Sequence, residues 1–305
     1  MTEQCSDSAL APEGQRPDSA SAPSGQRPDI ELPRPHAKQW EALNSPKRYK
    51  ILNWGGRTGK SRVCLIAGTL GHGVRQPDGT PQYRGAAQGA VIAWVAPTPK
   101  QARAIWQEEI VPRFGDKDAY GVVIRESDAQ VCFPGGGLIE IRSAAAIDGL
   151  RGRRWDGVIF DEARDYDLRY AWEEVVSLRL IDSGGWAIFP STPNGGRDGN
   201  PDHIIPSYFN RLCEQALTGT LDAERWGYWH ATMRENPYLP QEEVEYEYRV
   251  TPPTGMKRRQ EMDAELVVGG GGLAFPEWTP AVHLTTRYPD EVLRKEWTWA
   301  AGLTA

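Results

Sequence analysis

The sequence predicts an α/β protein: a mainly parallel sheet with helices on both faces, followed by a small helical lid subdomain. Three observations carry this. Unbroken apolar runs such as "GAVIAWVAP" and "WDGVIFDEA" alternate with amphipathic helical segments, the pattern of strands buried on both faces. A glycine turn, "NWGGRTGKS", sits between a predicted strand and a predicted helix. After Gly199 the strand pattern gives way to helical segments with Trp- and Pro-rich connections.

Residues 1–30 are rich in Pro, Ser, Ala, Gly and Gln and contain the near-duplicates "APEGQRPD" and "APSGQRPD". They have little apolar surface to bury, so a disordered tail is expected. "PHAKQWEALNSP" reads as a short helix, "RYKILNW" as a strand, and "SRVCLIAGTLGHG" as a helix with Val63, Ile66, Ala67 and Leu70 on one face. "PKQARAIWQEEIVPRF" reads as an amphipathic helix, and "GVVIRES" and "VCFPGGGLIEIRS" as strands joined by turns. "YAWEEVVSLRLIDSG" is a helix ending near Gly184, and "GWAIFPSTPNG" a strand running into a Pro/Gly turn. These segments set the α/β core at 31–199. "SYFNRLCEQALTG", "PQEEVEYEYRV" and "MKRRQEMDAELV" read as helices of the lid subdomain at 200–272, closed by "GGGG". "RKEWTWAAGL" opens a further strand within 273–305.

Composition sets bounds. The 305 residues carry a formal net charge of −6, which argues against a surface that is basic throughout and leaves room for a local basic patch. The four cysteines are widely spaced and form no C-x-x-C pair, so a reduced compartment without structural zinc is expected. The 12 tryptophans are unusually many, and several are expected at interfaces. "MTEQCSDS" has no signal-peptide pattern, and "AVIAWVA" is too short to span a membrane.

The glycine turn has the context of a phosphate loop, although Trp54 stands where the usual G-x-x-x-x-G-K-[ST] spacing has glycine. Gly55 and Gly56 can still supply the tight turn. The backbone amides of 55–60 (Gly55, Gly56, Arg57, Thr58, Gly59 and Lys60) would face phosphates at the helix start. Lys60 would reach the β- and γ-phosphates and Ser61 would ligate Mg2+. About 100 residues on, "GVIFDEA" puts Asp161 and Glu162 at the end of a buried strand. Asp161 would hold magnesium, and Glu162 would polarise the attacking water. "IFPSTPNG" adds Ser191 and Thr192, a hydroxyl pair suited to sensing the γ-phosphate. A plain surface turn is the alternative for each motif alone; together, in this order, they predict a RecA-like P-loop ATPase of the ASCE type.

The ordered set "KQWEAL", "GGRTGKS", "VAPTPKQA", "DGLRGRRWDGVIFDEA", "FPSTPNG", "ENPYLP" and "RRQEMDAELV" resembles the large subunit of tailed-bacteriophage terminases, from about Pro35 onward. That resemblance implies an ATP-hydrolysing motor that drives double-stranded DNA into a procapsid, working as a homo-oligomeric ring docked on the portal protein with a small terminase subunit, in the host cytoplasm and with no membrane partner. It implies that Gln39 reads adenine, with an ordinary exposed helix residue as the alternative. Lys100 and Arg103 become candidate DNA contacts, the alternative being a solvated helix face. Arg151 of "LRG" becomes an arginine finger acting on a neighbouring subunit's ATP, with Arg57 inside the loop as its rival in cis. It also implies an RNase H-like nuclease domain, truncated or absent here, since Thr304 and Ala305 stand where its first aspartate is expected; no nuclease activity is expected of this chain. A helicase-like translocase, which needs a second RecA-like lobe, is the other reading, and a degenerate nucleotide clamp a third.

Overall fold

The computed structural model describes residues 32–115, 121–193 and 207–266. The predicted tail at 1–30 and the predicted strand within 273–305 lie outside these residues, and all the described residues belong to one compact unit.

The centre is an eight-stranded sheet. Its strands are β1 (Tyr49–Trp54), β4 (Val91–Ala96), β5 (Val123–Arg125), β6 (Gln130–Cys132), β7 (Leu138–Ser143), β8 (Gly157–Phe160), β9 (Trp186–Ser191) and β10 (Trp226–Ala231), in the order β10-β1-β9-β8-β4-β7-β6-β5. The six strands from β10 to β7 are parallel, and β6 and β5 extend them as antiparallel ribbons. A separate hairpin pairs β2 (His72–Arg75) with β3 (Pro81–Tyr83).

Alternation along the strands splits the core into two faces. Leu52, Trp54, Ile92, Trp94, Ile159 and Ile188 pack under α1 (Ala37–Asn44), α2 (Lys60–Leu70) and the helical run from α3 (Pro99–Ile105) through the π-turn Trp106–Ile110 to α4 (Val111–Phe114). Tyr49, Ile51, Ala93, Val95, Phe160, Ala187 and Phe189 pack beneath the helical turns Ala144–Leu150 and Tyr170–Val176 and α5 (Tyr208–Leu217). Successive side chains of a strand point to opposite faces, so the unbroken apolar runs are the signature of a sheet covered twice.

One expectation is corrected. The described part of the predicted lid at 200–272, residues 207–266, is not a separate helical subdomain throughout: α5 packs on the sheet through Phe209, Leu212 and Cys213, and β10 pairs parallel with β1 as an edge strand. "WGYWHA" alternates weakly, so nothing local marks it as a strand; β1 supplies the partner it needs. Among the described residues, α6 (Gln241–Val250) and the π-turn Lys257–Met262 contribute to a small helical layer around Val244, Tyr248 and Met262. Several of the described tryptophans belong to the core. Trp54, Trp94, Trp155 and Trp186 are fully buried, while Trp40 is 53% exposed. Truncating one of the buried four to alanine carries a cost of about 3–5 kcal/mol.

Lys50 is the unusual core residue, 1% exposed. Its Nζ donates to Ala42 O (2.8 Å) and Ser45 O (2.6 Å) at the end of α1 and lies over the Trp229 ring. Burial pushes its pKa down to about 7. From there up to the ordinary value near 10.5, the unfolded chain holds a proton that the folded chain lacks, so stability rises with pH across that window. Below about 7 both states are charged and the cost of burying the ammonium is fully present. Thermal unfolding followed over this range should show that rise in the parent and a flatter profile in Lys50→Met; equal slopes would refute the assignment.

Candidate nucleotide site

Because the six central strands run parallel, the segments leaving their ends gather on one edge of the sheet. Strands β1 and β8, which lead into the loop and the Asp161-Glu162 turn, are not adjacent: β9 lies between them and brings Ser191 and Thr192 to the centre.

Trp54 is the last residue of β1, with its ring in the core beneath the loop, so the loop proper begins at Gly55. Gly55 and Gly56 do not turn their amides to the cleft. Gly55 N donates to Ala231 O (2.8 Å) and Gly56 N to Glu261 O (2.5 Å). A Cβ on Gly55 would stand 2.5 Å from Met262 O, so these glycines admit the close approach of a distant segment. This corrects the expectation that all amides from 55 to 60 face phosphate. Thr58 Oγ1 closes the turn on Gly55 O at 2.7 Å. Gly59, at φ 86°, caps α2 in the left-handed region, and a Cβ there would run into Gln39 Nε2. Lys60 and Ser61, the first residues of α2, line the cleft beyond it, where a helix start favours negative charge.

An open cleft of about 650 Å³ lies over this loop, lined among others by Gln39, Arg57, Gly59, Lys60, Ser61 and Glu162. Lys60 is 8% exposed; its Nζ lies 3.2 Å from Trp54 O, 3.3 Å from Gly55 O and 3.6 Å from Glu162 Oε1. Glu162 Oε2 accepts from Ser191 Oγ at 3.4 Å. The sheet thus brings together the loop lysine, the strand-end carboxylate and the hydroxyl of the intervening strand. Arg57 (φ 62°) and Glu162 (φ 41°) both hold left-handed backbone, which is costly for side-chain-bearing residues and persists where the surroundings over-determine it. For Arg57 the surroundings include Asn236 Nδ2, which donates to its carbonyl at 2.7 Å.

Asp161 sits behind Glu162, 5% exposed. Its Oδ2 accepts from Trp94 Nε1 (3.0 Å) and its Oδ1 from Glu162 N (3.0 Å). Burial, then the charge of Glu162, raise its pKa to about 7, against the pull of those hydrogen bonds and Lys60. A buried carboxylate so short of positive charge fits a cation; Ser61 lines the cleft, while Asp161 lies behind it and is not among its lining residues. Thr192 is buried at the end of β9, and Ser191 Oγ reaches its carbonyl at 3.0 Å.

The remaining candidates sit apart from this cluster or have other partners. Gln39 lines the cleft, but its Nε2 donates to Gly59 O (3.0 Å) and its Oε1 accepts from His36 N (2.9 Å), so its first role is to hold the loop. Arg151 is exposed and outside the residues lining the cleft; it pairs with Asp148 (2.8 Å) and Tyr170 OH (3.0 Å). Arg153 contacts the buried carboxylate of Glu140 at 2.5 Å, beside Arg142 and Gln130, and is structural. Lys100 and Arg103 lie exposed on α3.

Sequence reasoning missed several residues. Trp94 looks like ordinary core, and only the fold aims its Nε1 at Asp161. His36 Nε2 lies 3.0 Å from Thr58 O, and Asn236 and Tyr238 of the quoted "ENPYLP" line the cleft. Glu109, in the π-turn between α3 and α4, also lines it and pairs with Arg62 (3.5 Å) and Arg113 (3.3 Å); burial raises its pKa.

No family model matches the chain. Over 143 residues it is 27% identical to the terminase large subunit of Escherichia phage T5, a stretch covering 47% of this chain and 30% of that protein. Among solved structures it is similar to the large terminase ATPase domain of Thermus phage P74-26, at 21% identity and a TM-score of 0.53 over 77% of this chain and 94% of that one. It is also similar to the large terminase of a thermophilic bacteriophage in complex with ADP, at 17% identity and a TM-score of 0.53, covering 76% of this chain and 53% of that one. The fold is that of large-terminase ATPase domains, and both comparisons meet the resemblance read from the sequence motifs. Among the described residues there is no second large sheet of the kind the helicase reading requires, and no helix long and apolar enough to cross a membrane.

Proposed function

We propose that this chain is the ATP-hydrolysing part of a DNA-packaging motor: it binds ATP at the loop after β1 and couples hydrolysis to translocation of double-stranded phage DNA. The observation that carries this is the Lys60–Glu162 pair at 3.6 Å, with Asp161 buried behind it, in the fold of a large-terminase ATPase domain. Lys60 and the first amides of α2 bind the phosphates. Glu162, half-exposed and held by Ser191, orients the attacking water and takes up its proton at the carboxylate. Asp161 and Ser61 would hold Mg2+, which when bound supplies charge neutralisation at the phosphates. Gln39 would read adenine by exchanging its hydrogen bond to Gly59 O for one to the base. Arg57 in cis and Arg151 from a neighbouring subunit are the candidates for stabilising transition-state charge. The partners of this reading are double-stranded DNA, the portal protein, a small terminase subunit and further copies of this chain in a ring, assembled in the host cytoplasm.

The test is direct. With magnesium supplied, the chain should hydrolyse ATP and bind a fluorescent ATP analogue, and Lys60→Ala should lose both. Parent-level turnover in Lys60→Ala would overturn the reading.

A further inference from the structure

The segment from Lys257 to Leu266 is remote in sequence from both nucleotide turns and is fastened to each. Glu261 O accepts from Gly56 N of the phosphate loop at 2.5 Å, and Met262 O lies where any side chain on Gly55 would be. Asn53 Nδ2, at the end of β1, donates to Ala264 O (2.9 Å), and His230 Nε2, at the end of β10, lies 2.8 Å from Asp263 O. Ala264 itself is held at φ 52°. The other turn is reached by one side chain. Arg164, two residues after Glu162 and 19% exposed, donates from Nη1 to Glu261 Oε1 (2.8 Å) and to Pro193 O (3.0 Å), and from Nε to Asp165 Oδ1 (3.2 Å). Its backbone N–H donates to Ser191 Oγ (3.3 Å), the hydroxyl that also reaches Glu162.

Glu261 therefore stands at a junction. Its carbonyl holds the phosphate loop, and its carboxylate holds, through Arg164, the turn that carries Glu162 and the strand end that carries Ser191. A charge-assisted contact between planar partners fixes distance and direction together. We propose that Arg164 and Glu261 form a strut that sets the placement of Glu162 against the phosphate loop, and that the Lys257–Leu266 segment senses the nucleotide through it. Arg164 touches no reacting atom in this arrangement; it is a positioning residue. The proposal rests on the ATPase reading for its effect on turnover, and on the contacts above for its effect on the segment.

Two measurements test it. In steady-state ATPase assays, Arg164→Ala and Glu261→Gln should each lower kcat about 10- to 100-fold while KM for ATP stays within about twofold, because misplacing a catalytic group by an ångström costs on that order. The double variant should be no worse than either single, since both remove the same strut. Glu261→Gln is isosteric and its side chain is 45% exposed, so it carries the test if Arg164→Ala does not fold. Parent-like kcat, a KM rising in step with falling kcat, or additive losses in the double variant would overturn the strut. The second measurement needs no turnover. Trypsin cleavage after Lys257, Arg258 and Arg259 should be slowed by magnesium and ATPγS in the parent and not in Glu261→Gln. Equal nucleotide protection in both would sink the sensing role. If the parent hydrolyses no ATP, the ATPase reading fails on its own, while the protection pattern still decides the strut.

Discussion

Glu162→Gln should abolish ATP turnover and leave nucleotide binding intact. The substitution keeps the shape of the side chain, so Ser191 Oγ and Lys60 Nζ keep a polar partner at the same place. On the proposed reading, what is lost is the carboxylate that accepts a proton from water, a contribution of about 10²–10⁴-fold in rate. Removing its negative charge also relieves Asp161, whose pKa Glu162 raises, and frees Lys60 from an anionic neighbour, so affinity for ATP should hold or tighten. Single-turnover hydrolysis and analogue titration, run on the same preparation, separate the two effects. Parent-rate hydrolysis would show that another group activates the water.

The second large effect is expected from Arg151. Its guanidinium is exposed, is oriented by Asp148 and Tyr170, and lies outside the residues lining this chain's own cleft. Arg57 is in that cleft, on a strained left-handed backbone. An arginine supplied in trans is worth on the order of 10³-fold or more in rate. Arg151→Ala and Glu162→Gln assemblies should therefore each be inactive, and mixed assemblies should regain part of the activity, because an interface can then join an intact arginine to an intact carboxylate. Recovery would be read as ATPase activity of rings shown to be mixed by native mass spectrometry. Mixed rings without recovery would move the finger to Arg57, whose own alanine variant should then lose turnover with no possibility of rescue by mixing.

Much of this protein is legible without coordinates. Apolar runs buried on both faces announce strands β1, β4, β8 and β9, because a parallel sheet covered twice tolerates no polar alternation. Gly59-Lys60-Ser61 and Asp161-Glu162 are legible as candidate site residues because phosphate binding and proton transfer call for such side chains at strand ends, within a few residues of chain. The tertiary structure alone decided what those residues touch. It placed β9 between the two motif-bearing strands, drew "WGYWHA" into the sheet as β10, and aimed Trp94 at Asp161. It gave the amides of Gly55 and Gly56 to Ala231 and Glu261, residues more than 170 positions away, and turned Gln39 onto Gly59. The division has one physical cause. Strand, helix and motif signals are local, set by periodicity and by the chemistry of a few adjacent residues. A backbone amide or a buried indole takes whichever acceptor the packed chain brings near, and that choice is made only when distant segments meet.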